Sequence, residues 1–225
     1  RLLCARRDEL AGSVVFMFQP GEEGCGGARV MLEEGVLDAA GEPVVAAYGI
    51  HVATGPFGVF QARPGPLMAS ANKLYVTVHG RGGHGSQPHT AVDPVPVLLE
   101  IGTALHVMVT RRFSVFDPVV LSVTELRGSD AINIISESAS LSATVRALSD
   151  ASIRALATET RRLCEGIAAA HACTAEVDFQ VDYPVTTNDA RETAFVAATV
   201  AEVFGPDRFE EMADPLMGSE DFSYV

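Results

Sequence analysis

The chain has 225 residues, 48% of them hydrophobic, enough for one large or two modest domains with real cores. Its 16 basic and 29 acidic residues leave a net charge of −13, which argues against nucleic acid and anionic membrane surfaces as partners. No apolar run approaches the ~20 residues that span a bilayer, and Arg1–Leu10 lacks the apolar core of a signal peptide, reading instead as the last turns of a helix.

The next element is Val14-Val15-Phe16-Met17-Phe18, a β-rich apolar run ended by Pro20 and Gly21, which predicts a buried strand of a parallel sheet. Glu22 and Glu23 follow at its carboxyl end, where open α/β sheets place their ligand crevices. Two adjacent carboxylates are costly there unless something positive offsets them. One can then ligate a metal while its neighbour handles a proton of metal-bound water. A solvated acidic turn is the alternative for the pair taken alone. Ala28–Glu34 predicts a short helix stopped by Gly35, and Val44–Ile50 a second buried strand that delivers His51 at its end. This strand–helix–strand unit makes the strands parallel and brings Glu23 and His51 to one edge. A carboxylate with an imidazole is a common zinc-type ligand pair.

From Asn72 onward the periodicity changes. Leu74, Val76 and Val78 alternate with Tyr75, Thr77 and His79, predicting a half-buried strand. Asp93-Pro94 opens a helix that buries Val95, Leu98, Leu99, Gly102, Leu105 and Val109. Strands follow over Val119–Leu126 and from Ser140, the second with Leu141, Ala143, Val145 and Ala147 on one face. Asp150 caps another helix, burying Ile153, Leu156, Thr160, Leu163 and Ile167, and a last strand carries Val177, Phe179, Val181 and Tyr183. The order β-α-β-β-α-β is the ferredoxin-like arrangement, a sheet with helices on one face. A final helix runs to Phe204, before Gly205-Pro206. The predicted fold class is therefore α/β. A partial doubly wound, mostly parallel unit over residues 1–69 and 185–225 is interrupted by an α+β module over residues 70–184.

The four cysteines, Cys4, Cys25, Cys164 and Cys173, show no paired spacing and point to a reducing, cytoplasmic compartment. His171-Ala172-Cys173 matches a His-x-Cys metal tract only superficially, since Thr174-Ala175 follows it between a helix and a strand.

Taken together, Phe18-Gln19-Pro20-Gly21-Glu22-Glu23-Gly24, Gly49-Ile50-His51-Val52 and Gly82-Gly83-His84-Gly85-Ser86 resemble motifs of the metal-dependent N-acyl-amino-acid amidohydrolases. Hippurate hydrolases and auxin-conjugate hydrolases belong to that group. Asn133-Ile134-Ile135, Thr144-Val145-Arg146 and Gly218-Ser219-Glu220-Asp221-Phe222-Ser223 match in the same order, so the resemblance spans the chain. It implies a catalytic domain interrupted by a lid and dimerisation domain, hydrolysis of an N-acyl amino acid or short acyl-peptide, and two divalent ions per subunit (Zn, Mn, Co or Ni). It makes Glu22 the general base, Glu23 and His51 metal ligands, and His84 a donor to the oxyanion in the active site of the other subunit of a homodimer. It makes Asn133, Arg146 and Glu220 substrate contacts. An amide and a guanidinium suit carboxylate recognition, although Arg146 also reads as a charge on the open sheet face.

The sequence departs from the pattern in several places. Ser136 stands where proline is usual after Asn-x-Ile, and Gly21 and Cys25 stand where alanine and glycine are more usual. No His-x-Cys-Gly-His-Asp tract precedes the Glu pair, and no histidine follows His171. The expectation is a piece lacking both ends of the catalytic domain, inactive by itself. The competing readings are a non-catalytic dimeric scaffold or binding protein on a degraded amidohydrolase fold, and a related metallo-aminopeptidase or deacylase.

Overall fold

The computed structural model describes residues 1–225. Leu2–Ala5 forms a single helical turn. The sustained helix of the N-terminal region is α1 (Gly27–Glu33), ended at Gly35 in the left-handed region with φ 83°. The apolar runs on either side of it do not become the expected parallel strands. Neither 14–18 nor 44–50 joins a ladder, and Phe18 and Val45 are 84% and 98% exposed. A buried strand needs hydrogen-bonding neighbours at its edges and a layer over each face. The ladders this chain forms lie elsewhere, so these runs have β-rich composition without a sheet to enter. Two short strands, β1 (Phe60–Ala62) and β2 (Gly65–Met68), lead out of the region.

The central part is a sheet backed by two helices. Strict alternation makes β3 (Ala71–His79), whose Leu74, Val76 and Val78 are buried while Lys73, Tyr75 and His79 face out. Asp93 then caps α2 (Pro94–Arg112) by accepting a hydrogen bond from the Val95 N–H at 3.0 Å. The buried stripe of α2 is Pro94, Val97, Leu98, Ile101, Leu105 and Met108, whereas the expected core residue Leu99 faces solvent. This helix is apolar around most of its circumference, so the sheet rather than the periodicity selects the face. Next come β4 (Val119–Arg127) and β5 (Ser138–Ala147), then α3 (Asp150–Ala170) and β6 (Thr174–Tyr183). Ser149, not Asp150, caps α3, accepting from the Ser152 N–H at 3.1 Å. Asp150 lies in the first turn, where its charge still complements the helix dipole.

The strand order is β4-β5-β3-β6 with every neighbouring pair antiparallel. One sheet face carries Leu74, Val76, Leu141 and Val145 against Ile101, Leu105, Leu156 and Ala168 of the helices. Each fully buried leucine of this kind is worth roughly 1.5–3 kcal/mol. The opposite face carries Lys73, Tyr75, Ser142, Thr144 and Arg146. Both passages between this sheet and the rest of the chain are fastened. At the first, Asn72 Nδ2 donates to Ser70 Oγ at 2.8 Å and to the Val145 carbonyl at 3.2 Å. At the second, a register shift opposite Ala71 and Asn72 leaves Asp182 out of the ladder, its carboxylate meeting Lys73 Nζ at 2.7 Å instead, and Tyr183 ends outside the helix-side core.

After Tyr183, β7 (Thr186–Asn188) pairs antiparallel with β2. Asp189 caps α4 (Ala190–Phe204), and β8 (Phe209–Glu211) pairs parallel with β1. A short 3₁₀ turn, Asp221–Tyr224, closes the chain against α1. What forms outside the central sheet is thus a mixed α/β assembly of short paired strands and helices. No helix is long and apolar enough to cross a membrane.

Candidate active site

Glu22 and Glu23 lie in a tight loop rather than at the end of a strand. Gly21, Gly24 and Gly26 hold φ of 80°, 83° and 63°, a left-handed conformation that side chains rarely adopt. The loop folds back so closely that a Cβ on Gly27 would lie 1.7 Å from the Pro20 carbonyl oxygen. Two distant side chains hold it. The Tyr183 hydroxyl donates to the Glu22 carbonyl at 2.6 Å and accepts from the N–H groups of Gly24 at 3.0 Å and Gly26 at 3.2 Å. Asp221, only 1% exposed, accepts through Oδ2 from Gln19 Nε2 at 2.5 Å and from the Ala28 N–H at 2.9 Å. That carboxylate therefore meets the first turn of α1, where a negative charge is favoured.

His51 Nδ1 lies 2.7 Å from Glu220 Oε2, and the other Glu220 oxygen accepts from the Phe222 N–H at 3.3 Å. If the Nδ1 proton is given to this carboxylate, the Nε2 lone pair points away from it, the arrangement in which a histidine serves as a metal ligand. Glu22 stands in the same electrostatic neighbourhood. Burial first, then the carboxylates of Glu220, Asp221 and Glu23, push its carboxyl above the ordinary range, with His51 opposing them. Glu23 is exposed and makes no side-chain hydrogen bond. The structure thus groups Glu22 with His51, Glu220 and Asp221, and places Glu220 against His51.

The other candidates lie on the central module. His84 and Gly83 pair with Ile134 and Ile135 in a two-rung antiparallel ladder, and the Gly85 N–H donates to the Asn133 carbonyl at 2.8 Å. His84 and Asn133 are therefore neighbours, fixed by backbone. His84 Nδ1 accepts from the Ser86 N–H at 3.2 Å and lies 2.8 Å from Ser86 Oγ. Its proton accordingly sits on Nε2, which is left as an outward donor. Asn133 is exposed. Arg146 lies on the open sheet face, paired with Val120 of β4, with its Nη1 buried and unpartnered. Sequence reasoning missed Tyr183 and Asp221. Asp221 sat within a quoted motif, but Tyr183 gave no signal beyond its place at a strand end.

Peptidase family M20/M25/M40 matches residues 1–225. The chain is 36% identical to a thermostable carboxypeptidase of Saccharolobus solfataricus over 99% of its own length and 56% of that protein's. It is 34% identical to an IAA-amino acid hydrolase of Arabidopsis thaliana, covering 100% of this chain and 51% of the other. With the hippurate hydrolase of Campylobacter jejuni it shares 34% identity over 95% of this chain and 55% of that one. A Bacillus subtilis crystal structure described as a dinuclear metal binding peptidase of the M20 family superposes with a TM-score of 0.78 at 31% identity, covering 99% of this chain and 55% of that one. The chain spans about half the length of these relatives. With its motifs in register from end to end, this chain belongs to peptidase family M20/M25/M40.

Proposed function

We propose that the protein hydrolyses the amide bond of an N-acyl amino acid or short acyl-peptide, with Glu22 as general base. The observation that carries this reading is the setting of Glu22: a part-buried carboxyl with a raised pKa, beside His51 and Glu220, in a loop pinned by Tyr183 and Asp221. A carboxylate drawn towards neutrality takes a proton from water and returns it to the leaving amine more effectively than an ordinary one. The family's carboxypeptidase and amino acid hydrolase relatives support an amino-acid leaving group with a free carboxylate. Asn133 and Arg146 are the groups we assign to that carboxylate, and the unpartnered Arg146 Nη1 supports the choice.

The M20 relative described as dinuclear supports two divalent ions, Zn, Mn, Co or Ni, in the whole protein. Such ions activate water when bound. His51, oriented by Glu220, and the free carboxylate of Glu23 are donors of the right chemistry. However, no three His, Cys, Asp or Glu side chains of this chain are arranged to hold a metal ion, and a catalytic centre of this type uses at least three. These residues alone do not complete a metal centre, and no step is assigned through one.

His84, with its proton on Nε2, is assigned as donor to the oxyanion, and it serves the site of a second copy in a homodimer formed through the lid of residues 70–184. The lid is ferredoxin-like, and its edge strand β4 offers unpaired backbone to that copy. Loss of one oxyanion donor costs ~10²–10³ in turnover. The four free cysteines support a reducing, cytoplasmic setting. The test uses the polypeptide in which residues 1–225 are joined to the segments that complete the relatives' length. Glu22→Gln should keep its metal content and lose at least ~10² in turnover on N-benzoyl or N-acetyl amino acids. Wild-type turnover by that variant overturns the assignment.

A further inference from the structure

We infer that Tyr183 is a positioning residue, whose hydroxyl fixes the backbone of the Glu22–Gly26 loop and so ties the end of strand β6 to the general base. The inference rests on the assignment of Glu22 as that base. A phenol has one proton to give and two lone pairs to offer, and all three are used on this loop. Oη donates to the Glu22 carbonyl at 2.6 Å and accepts from Gly24 N–H at 3.0 Å and Gly26 N–H at 3.2 Å. The bonded residues alternate along a segment whose φ/ψ values depart from helical at Glu23 and Gly24. No ladder holds such a segment, and its single helical turn over Glu22–Cys25 is broken by that kink. Its glycines also make it conformationally free, so an external clamp is what selects one shape.

Tyr183 is itself held. Its ring meets Tyr224 edge-on at 6.2 Å, and the Tyr224 hydroxyl donates to the carbonyl of Asp182, the residue before it. It is also the last residue of β6, just after the register shift opposite Ala71 and Asn72. A phenylalanine would fill the same space, so the hydroxyl's contribution is separable from the ring's. Because the bond is to the Glu22 backbone, its loss misaims the carboxyl without removing it. A misplacement of about 1 Å in a reacting group costs as much as ~10² in rate. The effect therefore belongs in kcat, with KM nearly unchanged.

The experiment compares Tyr183→Phe, which removes only the hydroxyl, with Tyr183→Leu, which also removes the ring. On residues 1–225, hydrogen exchange at the Gly24 and Gly26 amides should speed up at least ~10-fold in Y183F, while the β3 and β5 amides stay as in wild type. In the protein completed to the relatives' length, Y183F should lose ~10- to 100-fold in kcat with KM within about threefold. Y183L should lose a similar factor in kcat and melt at a lower temperature. Unchanged Gly24 and Gly26 exchange in Y183F overturns the inference. So does wild-type kcat in Y183F alongside an impaired Y183L, because the ring alone would then matter. Glu22→Gln, run in parallel, separates the two claims. If it keeps wild-type turnover, the base assignment falls, while the exchange result still decides whether Tyr183 holds the loop.

Discussion

Asp221→Ala probes the second clamp on the Glu22 loop, and its cost follows from what the carboxylate does. Oδ2 serves two donors, Gln19 Nε2 at 2.5 Å and the buried Ala28 N–H at 2.9 Å. Hydrogen bonds to a charged group contribute roughly 1.5–3 kcal/mol each, and a buried donor left unmade costs ~1–3 kcal/mol. The carboxylate also faces the start of α1, worth roughly 0.3–1 kcal/mol more. Against these stands relief from burying a charge, which offsets part of the sum. The net expectation is a loss of ~2–4 kcal/mol, confined to the junction between residues 19–28 and the closing turn. At 1.36 kcal/mol per factor of ten, the opening equilibrium there should rise by ~30- to ~1000-fold. Native-state hydrogen exchange at Ala28 and its neighbours measures this directly, with the β3 and β5 amides as an internal reference. Ala28 exchange within about threefold of wild type would refute the reasoning and leave α1 held by something other than this carboxylate.

Leu156→Ala, at a site with no exposed surface between α3 and the sheet, should cost ~2–5 kcal/mol in urea unfolding; a loss below ~1 kcal/mol would mean that the site collapses to fill the cavity. Arg112 first, then Arg162, hold the Glu159 carboxyl at about 2, well below its ordinary 4.5. Its stabilising effect is therefore complete above the unfolded value and lost as pH falls towards about 2. The fall of the urea midpoint between those pH values should flatten in Glu159→Gln, and parallel profiles would remove the pair from the account. Cys4 and Cys25 are exposed, whereas Cys164 is buried with its thiol pushed up to about 12 and Cys173 is buried with its thiol raised. A thiol reagent should label the first pair quickly and the second only on unfolding; rapid labelling of all four would mean that the helix–sheet core opens. Residues 1–225 alone should hold substoichiometric metal and leave N-acetyl amino acids intact, and tight binding of two ions by elemental analysis would point to ligands outside Glu23 and His51.

The central sheet was readable because β3 and β5 alternate cleanly, and alternation is a property of one strand facing one core. Strand β4, bulged between Val123 and Glu125, and β6, whose Val181 is 50% exposed, follow it less strictly. Leu74, Val76, Leu141 and Val145 lie where their spacing put them. The cap of α2 was readable for the same local reason, since Asp93 bonds the Val95 N–H two residues on, whereas at α3 the cap is Ser149, one residue before the expected Asp150. What failed depends on partners far along the chain. The α2 sequence offers two overlapping apolar stripes, and only the sheet chooses Ile101 and Met108 over Leu99. The runs 14–18 and 44–50 have strand composition, but pairing is decided by neighbours that composition does not show. At the site, motif order named Glu22 and His51, yet it did not show that His51 meets Glu220 or that a tyrosine 161 positions away holds the Glu22 carbonyl.

The small ladder joining Gly83–His84 to Ile134–Ile135 limits how this protein can change. The two loops that present His84 and Asn133 share backbone bonds, so neither can gain or lose a residue without shifting the other's register. New preferences for one part of a substrate should therefore arise by exchanging side chains at fixed loop length. Where natural relatives differ in length here, the differences should be paired, one change in each loop. An engineer grafting loops from a relative would need to move both together, because a single graft breaks the rungs that hold two binding groups in one frame.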